Sequence, residues 1–105
     1  MGHCIRLMLP DRDEGAQGEI LDRIVSRWDG VTVTRGFGLW NEPKCRVREP
    51  FLILECSIPV WDENSEVWWD ETSREACILF GETCIFLSVR SENAMLVYPD
   101  YTEPI

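Results

Sequence analysis

VTVTRGFGLWNEPKCRVREPFLILECSI, residues 31–58, decides the fold, because it reads as two extended runs joined by a turn. In the first run Val31, Val33, Phe37 and Leu39 alternate with Thr32, Thr34, Gly36 and Gly38, the period-two pattern of a strand with two unlike faces. Asn41, Glu42 and Pro43 turn the chain, and residues 46–58 run back with Leu52, Leu54, Cys56 and Ile58 on one side. The two runs therefore predict a hairpin.

Outward from the hairpin the period changes on both sides. Upstream, Ile20, Leu21, Ile24, Val25 and Trp28 fall at helical spacing over residues 18–28, stopped by Asp29 and Gly30 and preceded by a short strand over 4–9 that Pro10 closes. Downstream, residues 62–80 read as a second helix ending at Gly81, with Trp68, Trp69, Thr72, Ala76, Leu79 and Phe80 on the arc that faces the sheet. Ile85, Leu87 and Val89 then point inward from a strand over 84–90, and a turn at Ser91, Glu92 and Asn93 leads to a short strand over 95–98. Two helices separated by a hairpin pack on one face of an antiparallel sheet. The expected fold is α+β, a ferredoxin-like split βαβ (βαββαβ plus a short terminal strand), in one domain spanning 1–105 with 99–105 as a loosely held tail.

Charge is the second informative feature. Residues 1–61 carry nine acids and eight bases, a balance of −1, whereas residues 62–105 carry ten acids and two bases, a balance of −8. Six carboxylates fall between Asp62 and Glu75 with Arg74 as the single base among them. A chain of net charge −9 does not suit DNA, RNA or an anionic membrane, all of which call for basic patches. Its partner is expected to be a basic protein surface, that of a nucleic-acid-binding protein. On the helical wheel Glu66, Val67, Asp70, Glu71, Glu75 and Ile78 share the outer face, and a carboxylate row at four-residue steps has a spacing of roughly 6 Å, close to that of neighbouring phosphates. Val67 and Ile78 are out of place on a merely solvated face. This face is the predicted partner-binding surface. The function expected from it is a small acidic inhibitor or adaptor that mimics nucleic acid, of the kind a phage or other mobile element could direct at a host nuclease or CRISPR effector.

A second candidate site lies on the hairpin itself. Lys44, Arg46 and Arg48 alternate along one face, and a basic strip of this kind could meet the acidic helix of another copy in a homo-oligomer. The run Gly36-Phe37-Gly38-Leu39-Trp40, followed by Arg48-Glu49-Pro50 and an apolar strand, resembles a G-x-W then R-E-P hairpin in small uncharacterised bacterial and phage proteins of ferredoxin-like fold. Phe80-Gly81-Glu82 is similar to that group's F-G-Q, with Glu82 departing at the third position. The resemblance spans about half the chain and implies fold more than activity. It puts Trp40 and Glu49 forward, with Arg46 and Arg48 beside them, as an alternative site for a small ligand or for catalysis. An oligomeric structural protein is the third reading.

Other chemistry is sparse. His3 is the single histidine and stands near the terminus, no Cys-x-x-Cys occurs, and the odd set Cys4, Cys45, Cys56, Cys77 and Cys84 suits free thiols better than a disulfide frame. No metal site, no cofactor and no membrane span are expected, the setting is cytoplasmic, and a binding protein is favoured over an enzyme.

Overall fold

The structure, a computed structural model, describes residues 3–89 and 93–99, the side chains of 93–96 excepted. In chain order its elements are β1 (His3–Pro10), α1 (Glu14–Trp28), β2 (Thr32–Asn41), β3 (Arg46–Ile58), α2 (Glu63–Phe80), β4 (Ile85–Val89) and β5 (Asn93–Val97). The strands form one antiparallel sheet in the order β2-β3-β1-β4-β5. That is the ferredoxin-like βαββαβ arrangement with an additional edge strand. The turn residues Ser91 and Glu92 and the tail beyond Pro99 lie outside the described residues.

Both helices cover the same face of the sheet. Ile5, Leu7 and Leu9 of β1, Leu52, Leu54, Cys56 and Ile58 of β3, and Leu87 of β4 are buried beneath Ile20, Ile24, Trp69, Ala76 and Phe80. The register pairs Leu7 with Leu54 and Leu87, so the centre of the core is one row of side chains across three strands. β2 lies beyond the helix layer. Val33, Phe37 and Leu39 form the helix-side face of that strand, as the alternation predicts, yet they stay exposed because no helix reaches the sheet edge.

Local chemistry sets the helix ends. α1 begins four residues earlier than its apolar spacing suggests, because the Asp13 carboxylate accepts a hydrogen bond from the Ala16 N–H at 3.1 Å and Glu14 sits in the first turn. Asp62 caps α2 in the same way, accepting from the Ser65 N–H at 2.9 Å and the Ser65 hydroxyl at 3.0 Å. These bonds hold the Asp62 carboxyl below its usual range. Gly81 ends the helix at φ 65, a left-handed conformation that glycine adopts without steric cost.

The inward arc of α2 differs from the wheel. Ser65, Trp69, Thr72, Ser73, Ala76, Cys77 and Phe80 are buried, whereas Trp68 and Leu79 sit at the flank. Trp69 is 1% exposed, and its ring meets Trp68 at 4.9 Å and stacks on Trp28 of α1 at 6.1 Å. Three indoles thus fasten α2 to α1, and the sequence reading that sent both α2 tryptophans to the sheet is corrected for Trp68. His3 is the first residue of β1, opposite Ile58, so the strand begins one residue before the expected stretch 4–9.

Candidate functional site

The hairpin divides its residues between two faces, and the register decides which residues can act together. Gly38 pairs with Glu49, Trp40 with Val47 and Gly36 with Phe51, so Trp40, Glu49 and Phe51 share the face that the helices leave uncovered. Leu39 pairs with Arg48 and Asn41 with Arg46, which puts both arginines on the helix side. Of the four residues in the alternative site, the structure brings Trp40 and Glu49 together. Arg46 and Arg48 face the other way.

One glycine shapes the open face. At Gly38 an added Cβ would stand 2.9 Å from Trp40 Cζ2 and 3.0 Å from Phe51 Cε2, so the bare backbone is what allows the indole to lie back along the strand. Trp40 then meets Phe51 edge to face, with ring centroids 6.1 Å apart and planes at 83°. Phe51 is buried by this cover, and Ile53 and Met8 continue the same face toward the middle of the sheet. Glu49 is half-buried and forms no ion pair among the described residues. Further along, Glu55 is committed to Arg6 at 3.3 Å. The open face therefore offers an aromatic floor, an indole with one surface free and one unpaired carboxylate.

On α2 the six predicted contact residues separate into two groups. Asp70 pairs with Arg74 at 2.8 Å, and Glu75 pairs with Arg23 of α1 at 3.6 Å. Arg74 also donates to the Tyr98 carbonyl at 2.9 Å and the Pro99 carbonyl at 3.4 Å, tying the helix to the end of β5. Glu66 and Glu71 carry no ion pair among the described residues; Val67 between them is 50% exposed, and Ile78, two turns further along, is 64% exposed. An open groove of about 440 Å³ runs between α1 and α2, lined by Arg23, Ser26, Arg27, Trp68, Glu71 and Thr72. Both of its arginines are engaged, Arg23 by Glu75 and Arg27 over the Trp28 ring at 3.9 Å.

The thiols are poor nucleophiles where they are buried. Burial pushes Cys56 and Cys77 up to about 11, helped by Cys4 and Cys84 respectively, and Cys84 is raised by burial and by Glu82. Among the described residues no group of three His, Cys, Asp or Glu side chains could hold a metal ion, and no helix is long and apolar enough to cross a membrane.

Fold and site together define a small α+β domain of ferredoxin-like topology, with an added edge strand and an aromatic-carboxylate face on its first hairpin. Two solved structures share this architecture along nearly their whole length. A phage SAM lyase in complex with S-methyl-5'-thioadenosine matches with a TM-score of 0.68 over 97% of this chain and 93% of that one, at 10% identity. A phage SAM lyase in its apo state matches at 0.66 over the same shares, at 8% identity. Likeness at such identities shows the fold, and function has to be argued from the site. No protein-family model and no curated protein sequence matches the chain.

Proposed function

We propose that the chain binds S-adenosylmethionine on the open face of its hairpin and cleaves it to S-methyl-5'-thioadenosine, as a lyase. The observation that carries this reading is Glu49, an unpaired, half-buried carboxylate on the same face as Trp40, in a domain whose fold matches a phage SAM lyase over 97% of the chain. Both groups suit the ligand. S-adenosylmethionine has a sulfonium and an ammonium against one carboxylate, so it is a cation at neutral pH, and a chain of net charge −9 attracts it. Trp40 offers a ring on which adenine stacks or the sulfonium rests. Glu49 offers the charge that opposes the sulfonium.

In the lyase reaction the bond between sulfur and the γ-carbon of the amino acid breaks, and its electron pair returns to sulfur, which becomes the neutral thioether of the product. A lyase adds no water, so a carboxylate oxygen of the same fragment forms the new bond to the γ-carbon and closes a five-membered lactone, one bond forming as one breaks. The sulfonium charge is present in the substrate and absent from the nucleoside product, while the departing fragment keeps its ammonium. Titration calorimetry with both molecules separates the two roles. Replacing Glu49 by Gln is expected to weaken the cationic S-adenosylmethionine far more than the neutral S-methyl-5'-thioadenosine, whereas Trp40→Ala weakens both. Equal losses for the two ligands on Glu49→Gln would remove the carboxylate from the site.

A second reading draws on Val67, which stands exposed between the unpaired Glu66 and Glu71, and on Ile78, exposed two turns further along α2. On that reading α2 docks onto a basic surface of a nucleic-acid-binding protein, as a phage-encoded inhibitor would. It has to work with Asp70 and Glu75 already neutralised inside the chain. Capture of one basic host protein, lost in a Glu66→Gln/Glu71→Gln variant, would support it over the lyase.

A further inference from the structure

We propose that a second copy of this chain covers the helix-side face of the hairpin, the β2–β3 arm of one molecule lying against α2 of the next. The inference does not rest on the lyase reading, which uses the opposite face of the same arm. Phe37 and Leu39 are 55% and 53% exposed at the centre of this face, at the far edge of the sheet from the helices. Arg46 and Arg48 stand beside them without an ion pair among the described residues, and the Arg48 guanidinium lies 4.0 Å from the Phe37 ring centroid. The arm thus presents two apolar side chains within positive charge.

The outer face of α2 presents the same pattern with the sign reversed. Val67 is exposed between Glu66 and Glu71, and Ile78 is exposed two turns further along the same face. Apolar residues meeting apolar residues, with opposite charges around them, give both orientation and a slow off-rate. The two surfaces cannot meet within one chain. β2 is one edge of the sheet, three strands from β4, while α2 packs over β1, β4 and β5. The complement of the arm must come from another molecule. Because arm and helix are different surfaces, the contact is head-to-tail, and an open assembly of any length retains one free arm and one free α2 face, at its two ends, until a ring closes.

Sedimentation velocity on the full chain tests this, at about 50 mM and about 500 mM salt to vary the screening. The expected result is an assembly larger than the monomer, its dissociation constant rising roughly tenfold or more with salt. Phe37→Asp/Leu39→Asp and Glu66→Arg/Glu71→Arg should each give a monomer with the circular dichroism of the parent chain, since all four side chains are exposed. Mixing the two variants should then give a one-to-one dimer, because each keeps the surface that the other has lost. A wild-type chain that stays monomeric overturns the proposal. So does an α2 variant that still assembles alone, which would mean that arm meets arm. If an aspartate variant loses its fold, the charge swap decides: Arg48→Glu should weaken assembly, and adding Glu71→Arg should restore it.

Discussion

Gly38→Ala separates the shape of the candidate site from the stability of the fold. The new Cβ would stand 2.9 Å from Trp40 Cζ2 and 3.0 Å from Phe51 Cε2, closer than carbon atoms tolerate, so one ring has to move. Phe51 is buried and Trp40 is half-exposed at the sheet edge, so the indole is the ring that yields. Swinging it away forfeits the edge-to-face contact, worth roughly 0.5–1.5 kcal/mol. Replacing a strand glycine by alanine returns about 0.5–1 kcal/mol of backbone entropy. The two nearly cancel, and stability by urea denaturation should change by less than about 1 kcal/mol. Ligand binding should not be spared. Loss of a stacking ring costs about 1–3 kcal/mol, or roughly 5- to 150-fold in affinity for S-methyl-5'-thioadenosine by calorimetry. The matched control is Gly36→Ala, whose Cβ meets only the tip of Ile53 at 3.2 Å and which should leave affinity within about twofold. Unchanged affinity in Gly38→Ala, with the Trp40 indole N–H resonance displaced, would refute the assignment of Trp40 to the site.

Three further outcomes follow from the packing and the thiols. Trp69→Ala removes the ring at the centre of the helix–helix contact and should cost about 3–5 kcal/mol, read from the urea midpoint; a loss under about 1 kcal/mol would mean that the three-indole cluster does not hold the helices together. Gly18 lies within α1 with nothing within 4 Å of an added Cβ, so Gly18→Ala should stabilise by roughly 0.5–1 kcal/mol, visible as a higher melting temperature. Stability should also fall at alkaline pH. Cys56 and Cys77 ionise near 9.0 when unfolded and near 11 when folded, so the unfolded chain loses protons first; the contribution is intact below pH 9 and is lost as pH rises through about 11. Cys56→Ala should flatten the pH dependence of the urea midpoint between those limits.

The sequence disclosed the fold because its periods are clean. Alternation in residues 31–58 and helical spacing on both sides leave few ways to bury Leu52, Leu54, Ile20 and Ile24 together. Less legible was the depth of burial, since alternation in β2 shows which residues share a face but not that the helices stop short of Phe37 and Leu39. The site was legible in part. Trp40 and Glu49 could be named from the G-x-W and R-E-P runs, but their separation from Arg46 and Arg48 depends on register, which is set by the turn between Asn41 and Arg46, where the Glu42 N–H bonds the Cys45 carbonyl at 2.8 Å. A one-residue slip would have exchanged the faces. The role of Gly38 was hidden for a related reason, since a glycine beneath a ring two residues on becomes visible only when the ring's rotamer is known. On α2, four-residue spacing identified the carboxylate rows and also placed Arg74 four residues after Asp70, a pairing that the charge count passed over. The pairing of Glu75 with Arg23 needed the helix–helix geometry.

If Glu49 and Trp40 serve a reaction on a sulfonium nucleoside, the chain alone turns that nucleoside over. The most direct test is to incubate the purified chain with S-adenosylmethionine and follow S-methyl-5'-thioadenosine by liquid chromatography and mass spectrometry, with Glu49→Gln treated alongside. The account predicts product in amounts exceeding the protein, formed without incorporation of solvent oxygen-18 into the nucleoside or the released fragment at the moment of cleavage, and little or none from the variant. No product above the uncatalysed background, or equal product from Glu49→Gln, would contradict it.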